Sequence, residues 1–288
     1  MSKLWARWVG YTGRQMDPLP LALVRIVAPL CIVVDLLEAA RLGMVTTYWR
    51  TAAAGGLSRF SGENAFIDDL SPLWGGAATW LISVISLSLV SAGIAVRPAL
   101  VIGVVAYAQL GHLYPPGDRA IDRLLRTVLL ILLFSSAHRR LSVWQYLRKI
   151  PAAVTIPAWP ADLIRYILVL MYLGAGLHKL GSTTAWVDPT QPSPIYRILT
   201  DPLAGRLDPV TFEGWWGMAY ALSVGTILLE LTSILLLTRF APYWAVCGVM
   251  MHLGIAATMH LGMFSWGMLS LYPLLLAPWI VRRWGAEA

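Results

Sequence analysis

Tyr172-Leu173-Gly174-Ala175-Gly176-Leu177-His178-Lys179-Leu180 closes the fifth of about eight apolar stretches with two adjacent ionisable side chains. An amine at the rim of a hydrocarbon layer has two fates. It reaches out to water along its methylene stem, or it loses charge by desolvation and becomes able to take a proton. Lys179 is therefore read either as a membrane anchor or as a general base, with His178 beside it. Arg165, Tyr172, Gly176 and Lys179 recur at intervals of seven, four and three residues, which lines them along one stripe of a helix. Gly174 and Gly176 leave room for a neighbouring helix or a flat ligand, so Tyr172 and Gly176 join the candidates for ligand contact.

Other polar residues gather at the same expected level. Asp35, His112, Asp118, Asp122, Arg126, His178 and His260 all fall near the outer ends of apolar stretches and suggest one pocket opening outward. Asp122 and Arg126 are four apart and can pair along a helix, as a packing ion pair or as an acid and a base. Ser223, Thr226, Glu230 and Ser233 form a second polar stripe. Glu230 lies deep enough to require a cation, for which Arg25 is the expected partner. His252 reads as a hydrogen-bonded interior residue. His112, His178 and His260 lack sequential metal-ligand spacing, and Cys31 and Cys247 sit inside apolar segments, so no metal is predicted. Phosphate loops and serine nucleophile elbows are absent.

These residues must be positioned by membrane helices. A chain of 288 residues that is 58% hydrophobic cannot coat itself with polar side chains, and its mean hydropathy is +0.66. The fold class expected is an all-α integral membrane protein, a polytopic bundle of about eight transmembrane helices. The stretches are Pro20–Leu37, Gly76–Val96, Pro98–Tyr114, Ile121–Ala137, Asp162–Leu177, Gly217–Leu237, Pro242–Met259 and Phe264–Val281. Lys3, Arg7, Arg14, Arg97, Arg139, Arg140, Arg148, Lys149, Arg239, Arg282 and Arg283 collect on one side if both termini are cytoplasmic. The excess of 22 basic over 15 acidic residues is thus read as topology and not as nucleic-acid binding. The long loops Glu38–Gly75 and His178–Trp216 become extracytoplasmic lids. The first stretch is expected to be retained, and the whole chain to be one membrane domain without a soluble one, in a cell membrane.

Asp17-Pro18-Leu19-Pro20-Leu21-Ala22-Leu23-Val24-Arg25-Ile26, Asp122-Arg123-Leu124-Leu125-Arg126 with Leu141-Ser142-Val143, the Tyr172 to Leu180 segment, Glu230, and His252 with Leu261-Gly262-Met263-Phe264 resemble the HTTM domain. That is the membrane half of vitamin K-dependent gamma-glutamyl carboxylase. The resemblance implies that Lys179 deprotonates reduced vitamin K, or menaquinone in a bacterium. Oxygen addition then generates a strong base that removes a gamma proton from a peptidyl glutamate, so that carbon dioxide can add. It implies a catalytic set of Lys179, His178, Asp122 and Arg126, with Arg126 as a cationic neighbour. The cofactor-binding set is Tyr172, Gly176, His112 and His260, and the partners are membrane lipid, a lipid quinone and a secreted peptide. Pro116-Gly117-Asp118-Arg119 stands where the family carries an Asn-His pair, and His178 replaces a second lysine. The alternative is a non-catalytic membrane partner or maturation factor for a secreted peptide, as in the related sporulation-delaying protein B group.

Overall fold

In a computed structural model the chain is all-α and polytopic. The structure describes residues 9–10, 12–50, 52, 55–58, 75–182, 186–212 and 214–284. The helices are α1 (Leu19–Arg41), α2 (Val45–Tyr48), α3 (Gly75–Ala92), α4 (Val96–Leu113), α5 (Ala120–Leu133), α6 (Val143–Leu147), α7 (Trp159–Gly181), α8 (Pro194–Leu199), α9 (Trp216–Leu231), α10 (Ala241–Thr258), α11 (Phe264–Leu269) and α12 (Ala277–Trp284). A 3-10 segment, Thr232–Leu237, continues α9. Among the described residues, sheet is confined to β1 (Gln15–Met16) and β2 (Ile156–Pro157), paired antiparallel.

Six helices in the described residues are long and apolar enough to cross a membrane: α1, α3, α4, α7, α9 with its 3-10 continuation, and α10. The fourth and eighth expected stretches differ. Helix α5 has 14 residues, about 21 Å at 1.5 Å each, short of a hydrocarbon core of about 30 Å. The stretch after Phe264 is broken into α11, a 3-10 turn at Tyr272–Leu274, and α12. Pro273 and Pro278 lack the N–H that a continuous helix would need. Backbone freed by such a break must find partners in a membrane. Here Arg165 of α7 supplies two of them, donating to the Leu274 carbonyl from Nε (3.2 Å) and Nη2 (2.6 Å).

The chain divides into two compact units, Met1–Pro160 and Ala161–Trp284. In the first, α3 and α4 form a tight hairpin, with Gly103 of α4 set against Ser86 and Leu87 of α3. Arg25 of α1 is fully buried. It donates to Val90 O (2.7 Å), Ser91 O (2.9 Å) and Leu141 O (2.6 Å), so it ties the end of α3 to the segment after α5. The partners of its guanidinium are these carbonyls, whereas a carboxylate was the expected partner. Asp17 accepts from Leu19 N (2.7 Å) at the start of α1 and pairs with Arg140 (3.0 Å). Half of the first expected lid, Glu38–Gly75, lies outside the described residues.

Candidate functional site

In the second unit, Ser233 Oγ donates to Val169 O (3.2 Å). A Cβ on Gly176 would meet Glu230 Cβ and Leu231 Cγ at 3.1 Å. Together these contacts fix α7 and α9 as antiparallel and nearly touching. Glycine at 176 is what lets Glu230 come so close. Lys179, one turn further on, forms an ion pair with Glu230 Oε1. Its side chain is 19% exposed and that of Glu230 7%. Trp216 is 14 residues before Glu230, so about 21 Å of α9 extends past the amine. Lys179 meets the carboxylate well along α9 and not at the level where that helix begins.

The approach to the amine is roofed by an aromatic ring. Trp186 sits with its centroid 4.9 Å from Lys179 Nζ, a cation–π distance. Trp186 in turn packs on a buried cluster of Ile195, Leu199, Phe212, Ala219 and Met259. That cluster forms one wall of an apolar cavity of about 400 Å³ between α9 and α10, completed by Trp215, Leu222, Met250 and Ile255. The second expected lid is thus folded: α8 and the turn at Pro209–Phe212 cap the cavity. Ser193 starts α8 by accepting from Tyr196 N. Its path is tied down by Trp216 Nε1 donating to Pro189 O (3.3 Å) and Tyr220 Oη donating to Val187 O (3.2 Å).

Toward the other end of α7, Tyr172 Oη lies 2.8 Å from His252 Nε2 and 2.8 Å from Tyr272 Oη. Trp244 packs edge-on against Tyr172 at 4.9 Å. Tyr272 reaches this position because the break after α11 turns it inward onto Gly248 of α10, where a Cβ would come within 2.2 Å of the phenol oxygen. His252 Nδ1 and Glu230 Oε2 are buried without a hydrogen-bond partner among the described residues. Both atoms therefore retain capacity for a polar ligand group or water.

The remaining sequence candidates fall within one unit or the other. His178 faces outward and is exposed, as helical geometry requires of the neighbour of an inward Lys179. His260 is exposed just beyond α10, its backbone N–H bonded to Ala204 O (2.8 Å). In the first unit, His112 is exposed in the last turn of α4. Asp122 and Arg126 do not pair with each other. Asp122 accepts from Tyr107 Oη (2.7 Å) and Arg119 Nε (2.9 Å), and Arg119 also binds Asp35. Arg126 binds Asp118 through Nη1 (2.7 Å) and Nη2 (2.8 Å), with the pair resting against Gly111. The loop before α5 supplies Asp118 and Arg119 as nearer partners than the (i, i+4) neighbour. Burial pushes the Asp118 carboxyl up, but its hydrogen bonds to Arg126 and Arg123 hold it below the usual carboxylate range. Among the described residues no three His, Cys, Asp or Glu side chains converge as a metal site.

Glu230 as the partner of Lys179, and Trp186 and Tyr272 as its surroundings, escaped the sequence reading. The polar stripe of α9 flagged Glu230 but could not fix its level against α7. The HTTM domain profile matches residues 13–279, nearly the whole chain. The chain belongs to the HTTM-domain family. That domain is the membrane domain of vitamin K-dependent carboxylase-type proteins. No curated protein and no solved structure gave a match.

Proposed function

We propose that this HTTM protein is a carboxylase-type membrane enzyme that uses a reduced lipid quinone, with Lys179 as the base that accepts the ligand's hydroxyl proton. The observation that carries the reading is the Lys179–Glu230 pair, shielded from water beneath Trp186 and joined through one packed cluster to an apolar cavity. The volume of about 400 Å³ lies within the range of ligand pockets and suits an apolar chain. Trp186 offers a flat face to a ring, and the unfilled Oε2 of Glu230 offers an acceptor to a hydroxyl. These features fit a naphthoquinone with a hydrocarbon tail.

Lys179 can accept a proton only after giving one up, and Glu230 is the group placed to receive it. With that proton on Glu230, the neutral Lys179 amine takes the proton of a ligand hydroxyl, leaving an ammonium, a protonated Glu230 carboxyl and the ligand as its anion. The low exposure of the pair, 19% for Lys179 and 7% for Glu230, strengthens the charge interaction between them. When bound, the reduced quinone would supply electrons to oxygen and so furnish the stronger base needed for a carbon acid such as the gamma position of a peptidyl glutamate. Tyr172 and Gly176 position the stripe that carries Lys179, whereas His178, His112 and His260 are left to surface roles.

Purified protein supplied with reduced naphthoquinone in air should consume oxygen and form the quinone epoxide. Lys179→Ala should lower that turnover by about 100-fold or more, the usual range for loss of a general base. Unchanged turnover in a folded Lys179→Ala protein sinks the assignment. Absence of turnover in the parent chain with quinone, oxygen and a glutamate peptide present favours the partner-protein reading.

A further inference from the structure

The first unit has a second cavity, of about 330 Å³, at the end of α3 and α4 away from Asp35 and Tyr107. One wall is the turn from α3 into α4, which carries Arg97. The other is the segment after α5, with His138, Arg139, Trp144, Gln145 and Ile150. The two walls are locked together, because Ser142 Oγ donates to Gly93 O (2.6 Å) and Arg25 holds the Leu141 carbonyl (2.6 Å). Gly93 has φ +77°, and a Cβ there would meet Ser142 at 2.7 Å.

The charge around this cavity has one sign. Between Asp122 and Asp162 the chain contains no acidic residue, and none occurs between Asp69 and Asp118. The segments lining the cavity bring Arg97, Arg139, Arg140 and Arg148, of which Arg140 is neutralised by Asp17. Among the described residues no carboxylate pairs with Arg97 or Arg139, and Arg148 stacks on Trp144 at 4.6 Å. Burial, then Arg97, Arg25 and Arg139 in turn, hold His138 below its ordinary value, as a locally positive site would.

Beside these bases the same segment exposes Leu141, Trp144, Tyr146 (83%), Leu147 (66%), Ile150 and Val154 (84%). Apolar and aromatic side chains interleaved with arginine suit the headgroup layer of a membrane, where rings and stems meet hydrocarbon and cations meet phosphate. A ligand here must be anionic at one end and tolerate hydrocarbon at the other. We propose that this cavity binds the phosphate of an anionic phospholipid headgroup, with Arg97 and Arg139 as its charge partners and Trp144 packed along the glycerol. The site is distinct from the Lys179 region and does not depend on the quinone reading.

Native mass spectrometry of the full chain in detergent, with phosphatidylglycerol or phosphatidylcholine of matched acyl chains, tests this. The parent chain should retain one phosphatidylglycerol in preference to phosphatidylcholine. Arg97→Gln/Arg139→Gln should retain it about 25-fold more weakly, from two arginines at about a factor of five each. Arg239→Gln, which removes a base beside Phe240 in the other unit, should bind as the parent does. Arg97 and Arg139 are exposed, so the double variant should melt like the parent in lipid-free detergent. Equal retention by parent and double variant, or equal retention of the two lipids by the parent, overturns the proposal. So does a melting shift produced by millimolar inorganic phosphate but not by phosphatidylglycerol, which would assign the site to a free anion.

Discussion

Lys179 and Glu230 each make the other tolerable at low exposure, so removing one should do more harm than removing both. Glu230→Ala leaves an ammonium with little water and should cost about 3 kcal/mol of stability, whereas Lys179→Ala/Glu230→Ala should recover part of it. Thermal unfolding of the four species of this cycle checks the coupling, and additive losses would deny it. Asp118 gives a separate test by acid. Its folded pKa lies below its unfolded value, so its contribution is complete above about pH 4 and disappears as pH falls through the folded value. The melting temperature should drop through that window in the parent, and less so in Arg126→Gln, which lacks the main hydrogen bond that lowers Asp118.

The broken C-terminal stretch shows how helices position side chains that periodicity cannot. A continuous helix through Tyr272 would carry its ring past α10, whereas the break turns the phenol onto Gly248 and into contact with Tyr172. Gly248→Ala should therefore displace Tyr272 and destabilise the protein by about 2 kcal/mol, the usual scale for overpacking. Adding Tyr272→Phe removes the atom nearest the new methyl and should restore part of the loss. Equal melting temperatures for Gly248→Ala and the parent would refute this packing. Arg165, read from its spacing as one of the Lys179 stripe, instead satisfies the Leu274 carbonyl and so maintains the break.

For the whole molecule, the clustering of Arg97, Arg139, Arg140 and Arg148 at one end of the first unit supports the orientation with both termini cytoplasmic. A reporter enzyme active only outside the cytoplasm, fused after Ala288, should be silent, and one active only inside should be functional. The opposite pattern would refute this orientation. Helix identity was legible in the chain because apolar length and composition are local properties, and α1, α3, α4, α7, α9 and α10 all follow from them. The stripe of Tyr172, Gly176 and Lys179 was legible for the same reason, since 3.6-residue periodicity fixes which residues share a face. Partners were not. Glu230 meets Lys179 because Gly176 permits close crossing at a particular height, and Asp122 turns to Arg119 because a loop brings that guanidinium nearer than Arg126. Height, crossing and loop path are set by packing between segments distant in sequence, and hydropathy along one helix carries no information about them.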